Sequence, residues 1–412
     1  DNLFPNTAIK WETTITRNLA LDISMFNGRL TLTPEFYWNT TRDLLYRCQI
    51  PTTTGYSYQW QNVGKVSNKG IELTMNGDIL RGKDYVLSAN LTMGWNKTKV
   101  EKINGTDAYI PGKKWDSEDN FRLVEGQEVG LIYGYVFDGI YGFDEFHRNG
   151  FNYAANDEEY LADNPGVQEK PTVEGLFGTA PGRIKLKDLN GDGKIDINDR
   201  TVVGNTNPKL QGGFGLNGRW KNFDFVANFT YMLDFDVINA TAYDLSTACG
   251  ASQTNPRNVL AKFGYDNRWV YYGDIYNTNA DGTQSIYNLN EPLLSNSQHI
   301  DYLDVYESVN AGKTLWNPQD VTARYTLSNF VEDGSFLRLN DLTIGYTLPT
   351  SLTKKWGISR LRVYVTGSNI FCITGYSGYD PEVDIQNGLT PNVDYNRYPR
   401  SHSYLLGLNL SF

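Results

Sequence analysis

Asp188, Asn190, Asp192, Lys194, Asp196 and Asp199 carry the densest chemistry in the chain. Their order puts oxygen ligands at positions 1, 3, 5, 9 and 12 of a twelve-residue segment, with Gly193 at position 6 and the Lys194 carbonyl at position 7. That is the ligand order of a calcium loop, and Ca2+ is the one cofactor to expect. Asp199 departs from it, because the last position of an EF-hand is a longer Glu. A second reading stands beside the first: an Asn/Asp/Gly-rich turn whose side chains accept from their own backbone needs no ion. Four carboxylates this close repel unless a cation sits among them, and Lys185, Lys187 and Arg200 are alternatives to a metal.

A second group lies in residues 238–333, where Trp269, Tyr271, Tyr272, Tyr276 and Trp316 stand with Tyr287, Tyr302 and Tyr306. Aromatic faces stack on sugar rings and pack on apolar peptide side chains, so these residues suit substrate contact. They equally suit the private core of a long loop. Catalysis has little to build on. His147, His299 and His402 sit in unrelated contexts, and there is no nucleophile elbow, zinc spacing or phosphate loop. Asp157, Glu158 and Glu159 evoke the paired acids of a glycosidase, but a solvated loop run accounts for them. Cys48, Cys249 and Cys372 are far apart and form no metal or redox motif. The chain reads as a non-enzyme.

The elements that would position these groups are strands. Of 412 residues, 14% are aromatic and only 20% charged, with 28 Tyr and 39 Gly, which is the composition of strands and turns. A formal charge of −10 excludes a nucleic-acid backbone as partner. No run of eighteen apolar residues exists, so a transmembrane helix is excluded, whereas a barrel strand needs only about 9–11 residues. The sequence begins at Asp1 with no leader and reads as a piece of a longer exported chain.

Alternation is clearest from Phe223 through Phe225, Ala227, Phe229, Tyr231, Leu233 and Phe235 to Val237, apolar at every second residue with mostly polar residues between. The same pattern marks Leu210–Trp220, Ile15–Met25, Leu30–Trp38, Ile71–Met75, Tyr85–Trp95, Leu342–Leu348, Leu361–Ile373 and Tyr404–Phe412, giving nine strands. Connections alternate between short, near 27–29, 81–83, 220–222 and 349–359, and long, near 46–65, 99–208, 238–333 and 375–400. Short periplasmic turns and long extracellular loops are the habit of bacterial outer-membrane barrels. Residues 129–142 are either extracellular or half of an additional hairpin. The competing fold is a soluble β-sandwich, which also alternates; with the 188–199 loop it would make a secreted calcium-dependent binding module or adhesin. Phe412, on the row of Tyr404, Leu406, Leu408 and Leu410, is placed as the terminal interfacial aromatic of a membrane strand, although any closing strand also needs an apolar end.

Several stretches resemble signatures of SusC-like (SusC/RagA) TonB-dependent outer-membrane transporters. They are Asn62–Glu72, Glu125–Gly130 with Tyr133–Tyr135, Asp188–Asp196, Asp199–Gly204 with Asn207-Pro208, Phe336–Tyr346, Gly378–Glu382 and Tyr398–Arg400. The resemblance implies an all-β, antiparallel transmembrane barrel of 22 strands, of which residues 1–412 supply about nine from the C-terminal part. The plug and the TonB box lie outside this chain. It further implies TonB-energised import of oligosaccharides or oligopeptides across the outer membrane of a Gram-negative bacterium, with a SusD-like surface lipoprotein as lid. The expected partners are that lipoprotein, the TonB complex, the remaining barrel and plug, and outer-membrane lipid. It also implies that the assembly machinery reads the strand ending in Phe412.

Overall fold

The computed structural model describes residues 3–103, 109–111, 120–149, 152–154, 158–163, 172–173, 177–247, 258–271, 276–278, 284–286, 304–321, 324–383 and 392–412. Its dominant feature is one antiparallel sheet of nine consecutive strands. Strand β1 is broken into Thr13–Ile15, Asn18–Ala20 and Ile23–Met25; β2 is Leu30–Arg42, β3 Gly64–Arg81, β4 Tyr85–Ile103, β5 Leu210–Trp220, β6 Phe223–Leu233, β7 Phe336–Thr347, β8 Arg360–Thr374 and β9 Ser403–Ser411. Each strand pairs with its neighbours in sequence order. The all-β expectation and the nine alternating segments are met strand for strand.

The two-residue period turns into a face because the register keeps apolar residues level across the sheet. Tyr85, Trp220, Phe223, Tyr346, Val363 and Leu408 form one row. Leu87, Gly218, Phe225, Ile344, Val365 and Leu406 form the next, followed by Ala89, Leu216, Ala227, Leu342, Gly367 and Tyr404. Farther along, Phe36, Ile71 and Trp95 are level. Among the described residues no second sheet packs on this face, and Ile344 at 53%, Phe223 at 50% and Leu406 at 76% exposure remain bare. A sandwich would bury them, so the sandwich alternative is not what this sheet builds.

Short connections at one end need backbone that bends sharply. Phe26, Asn27 and Gly28 all take positive φ between β1 and β2, and Lys221 takes φ 51° between β5 and β6. At the other end the four long connections fold over the opposite, polar face. Residues 129–142 add no crossing to the large sheet: Leu131–Gly134 pairs with Thr201–Asn205, and Phe137–Ile140 with Ile184–Leu186. Both pairs lie within the 99–208 connection.

Candidate functional site

The polar face is a wall of side chains bonded to one another across strands. Thr343 and Thr366 hydroxyls are 2.8 Å apart, and Ser368 donates to Asp341 at 2.7 Å. Arg362 donates through Nε to Asp224 at 3.0 Å. Gly345 permits that pair, because a Cβ there would strike the Arg362 guanidinium. The water-facing side of a barrel needs such a surface, wettable and internally satisfied.

Above this wall the long connections form a packed layer. Its anchor is Arg338, whose side chain is 3% exposed although it carries a full charge. Its Nη2 donates to Asp380 at 2.6 Å, its Nη1 to Asn369 Oδ1 at 2.6 Å, and its Nε lies 3.5 Å from Glu382. Arg400 closes the cluster from outside, with Nη2 2.8 Å from Glu382. Three of the signature stretches, around Phe336–Tyr346, Gly378–Glu382 and Tyr398–Arg400, thus meet in one ion network. A second knot joins three connections. Tyr376 donates its hydroxyl to buried Asp394 at 2.7 Å, Asn392 reaches the Thr206 carbonyl at 2.7 Å, and the backbones of Ile238 and Asp394 bond at 2.9 Å. Burial and the Asp394 charge push the Tyr376 hydroxyl well above its ordinary range.

The sequence-derived site residues are dispersed through this layer. Trp269 and Trp316 are each 2% exposed. Trp269 donates to the Tyr306 hydroxyl at 2.8 Å and packs on Phe143, while Trp316 sits among Phe137, Phe263 and Phe330. Gly182, at φ +82°, leaves room for the Trp269 ring. In this structure both indoles pack inside the loop layer. Tyr271 is half-buried beside Asp320, and burial plus that carboxylate raises its hydroxyl far above normal. Asp320, paired with Arg183, is itself raised by burial. Tyr272 lies outside the described residues, as do the side chain of Tyr276 and Cys249.

In the 188–199 segment, backbone amides take the carboxylates. Asp188 accepts from Gly191 at 2.6 Å and Gly193 at 2.9 Å, and Asp192 from Lys194 at 2.9 Å. Asp196 accepts from Asn198 at 2.7 Å; Asp199, 0% exposed, accepts from Leu189 at 2.9 Å and from Asp196 at 2.8 Å. Asn190 donates to Asp192 at 2.9 Å. Among the described residues no three acidic, His or Cys side chains converge as a metal cluster. The ring of amide donors closes the loop by itself. Phe412 stands 88% exposed past the end of β9.

Comparison with known proteins shows what this wall is similar to. The model of the family described as TonB dependent receptor-like, beta-barrel matches residues 1–196. TonB-dependent receptor P3 of Formosa agariphila is 29% identical over 419 residues, covering 99% of this chain and 35% of that protein. TonB-dependent receptor SusC of Bacteroides thetaiotaomicron is 27% identical over 99% of this chain and 32% of its own length. Over nearly its whole length this chain is similar to SusC-like TonB-dependent receptors, and residues 1–196 match their β-barrel model. Solved structures agree on the fold: the RagAB peptide transporter aligns over 98% of this chain and 36% of that one, with TM-score 0.63 at 24% identity. Its relative in the "closed-closed" state gives 0.66 at 22% identity. The SusC-like chain spans about a third of the length of the curated relatives it matches.

What sequence reasoning missed is the Arg338 cluster. The signature stretches were visible singly, but no spacing rule says that residues 338, 380, 382 and 400 share one point.

Proposed function

We propose that this chain supplies nine wall strands and the extracellular loop layer of an outer-membrane, TonB-energised importer of oligomeric nutrients. The whole protein would take oligosaccharides or oligopeptides, with a SusD-like lipoprotein closing over the loop layer and TonB acting through parts outside these residues. The observation that carries the reading is the division of one nine-stranded sheet into a bare, continuous apolar face and a hydrogen-bonded polar face roofed by interlocked connections. Such a sheet is stable only with hydrocarbon on one side and water on the other. The name of one matched protein, a peptide transporter, supports an oligomeric cargo.

The test is to delete the gene in its native host and measure uptake of labelled oligosaccharide and oligopeptide pools, together with the chains that co-purify with the intact receptor. Loss of uptake of one pool and recovery of a surface lipoprotein are the expected results. Unchanged uptake of both pools, with the receptor purified alone, would remove the import reading. On ligand order alone, Ca2+ held by Asp188, Asn190, Asp192, Lys194, Asp196 and Asp199 is part of this proposal, as is an assembly role for Phe412.

A further inference from the structure

The apolar face of β3 and β4 does not end in solvent-neutral residues. Above the level of Ile71 and Trp95, the same outward row continues as Lys69 opposite Lys97, then Ser67 opposite Lys99. Trp38 of β2 stands level with Lys69, 49% exposed, marking the boundary where aromatic rings give way to cations. Lys65, Lys69 and Lys99 all lie close enough to Glu101 to act on its charge. The chain as a whole is acidic, so this is a local reversal of sign.

Two features make the cluster more than a solvated edge. Lys69 and Lys97 face each other in direct register, and like charges so placed repel, with Cβ atoms about 4.5–5.5 Å apart. The local carboxylates offset only part of that cost. Glu128 pairs with Lys97, and Glu101 is held by the Ser67 hydroxyl at 2.5 Å. Among the described residues Lys65, Lys69 and Lys99 have no ion-pair partner. The second feature is shape: Ser67, Lys69, Lys97, Lys99, Glu101 and Glu128 line a concavity rather than a flat surface, three cations against two carboxylates. Segment 126–129 forms its far wall by bonding to β4, with Val100 donating to Gln127 at 2.9 Å and Val129 to Thr98 at 3.0 Å.

We propose that this concavity binds the phosphate of a phosphorylated glycolipid in the outer leaflet. The inference rests on the membrane reading above. An aromatic belt places ring and indole at the headgroup boundary, so cations one and two residue pairs beyond it stand where lipid phosphates lie. Acyl chains would run down the bare rows below, along Ile71, Leu73 and Met93, while Lys69 and Lys99 meet the anion. Removing three such lysines therefore weakens binding by roughly tenfold or more at low salt.

The experiment uses the intact receptor isolated from outer membranes, as wild type, as the Lys69→Gln/Lys97→Gln/Lys99→Gln variant, and as the matching triple Arg variant. Bound lipid is quantified by mass spectrometry, and binding is measured to phosphatidylcholine vesicles containing phosphorylated or dephosphorylated lipid A. The expected result is at least a tenfold loss of phosphorylated lipid in the Gln variant, retention in the Arg variant, and weak binding of wild type to dephosphorylated lipid. Equal lipid retention in the Gln variant would overturn the site. So would equal binding to both lipids, or full displacement of lipid by millimolar inorganic phosphate, which would mark a free-anion site. Recovery of wild type outside the outer membrane would sink the membrane reading itself; the other negative outcomes leave that reading standing.

Discussion

Arg338 spends its charge on Asp380 and Glu382 in a space that water barely reaches. Arg338→Met leaves those carboxylates with only the half-exposed Arg400 as cation, and breaking a buried pair from one side costs up to about 3–5 kcal/mol. The loop layer of the variant should be cut by protease under conditions where wild type resists, while heat-resistant migration of the barrel persists. A different residue tests pH. Burial, then the Glu145 charge, pushes the Tyr141 hydroxyl from 10.0 up to about 12. Its folded-state value lies above the unfolded one, so the stability it contributes is complete below pH 10 and is lost as pH rises towards about 12. Tyr141→Phe should flatten the alkaline unfolding curve in that window, as followed by phenolate absorbance and near-ultraviolet circular dichroism. At Asp188 the amide bonds and the ion make different claims. Asp188→Ala removes the acceptor of two amides and should lower loop stability by about 1–2 kcal/mol with or without metal. If the loop holds Ca2+, a chelator should lower the wild-type melting temperature and leave the variant's unchanged. No chelator effect on wild type would leave the amide ring as the whole explanation of the motif.

Adjacent residues on one strand separate the two faces. Leu216 and Asn217 of β5 are neighbours, yet the first lies in the middle apolar row and the second points to the polar side. Leu216→Arg places a charge near the bilayer midplane and should cost about 2–4 kcal/mol, whereas Asn217→Arg should be close to neutral. Outer-membrane abundance and urea midpoints in detergent read the difference; equal effects would mean that the faces have been assigned wrongly. This division was fully legible beforehand, because a period of two maps directly onto faces once strands pair in sequence order. Thus Phe223–Leu233 could be placed to within a few residues. The broken β1 was less legible: its three pieces come from one alternating stretch, and only pairing to β2 shows the interruptions. The loop layer was hardly legible at all. Leu131–Gly134 finds Thr201–Asn205 some seventy residues away, and no local pattern encodes such a pairing. Trp269 illustrates the same limit, since composition cannot tell a ligand-facing indole from one that packs on Gly182 and Tyr306.

Across the whole molecule, the nine strands form an open sheet. Among the described residues the pieces of β1 pair only with β2, and β9 only with β8, so both outer strands present N–H and C=O groups with no sheet partner. In hydrocarbon each such group costs several kcal/mol, and closure is the only remedy available to a β-structure in a membrane. Water relieves that cost but leaves the rows around Ile344 and Leu406 bare, so neither solvent suits the sheet on its own. The loop layer does not solve the problem either: its hydrophobic clusters are tied to the polar side and end of the wall and leave the edges untouched. Residues 1–412 expressed alone and refolded into detergent should therefore fail to give a heat-modifiable monomer and should associate through β1 and β9. Supplying the remaining barrel strands on a second polypeptide should pair both edges and restore one compact, protease-resistant species. A cysteine placed at Leu408 and one on the edge strand of the added piece should cross-link only in that restored form. A stable monomer of residues 1–412 in detergent, with no need of the second piece, would show that the two edges are satisfied in some other way and that the open sheet is complete as it stands.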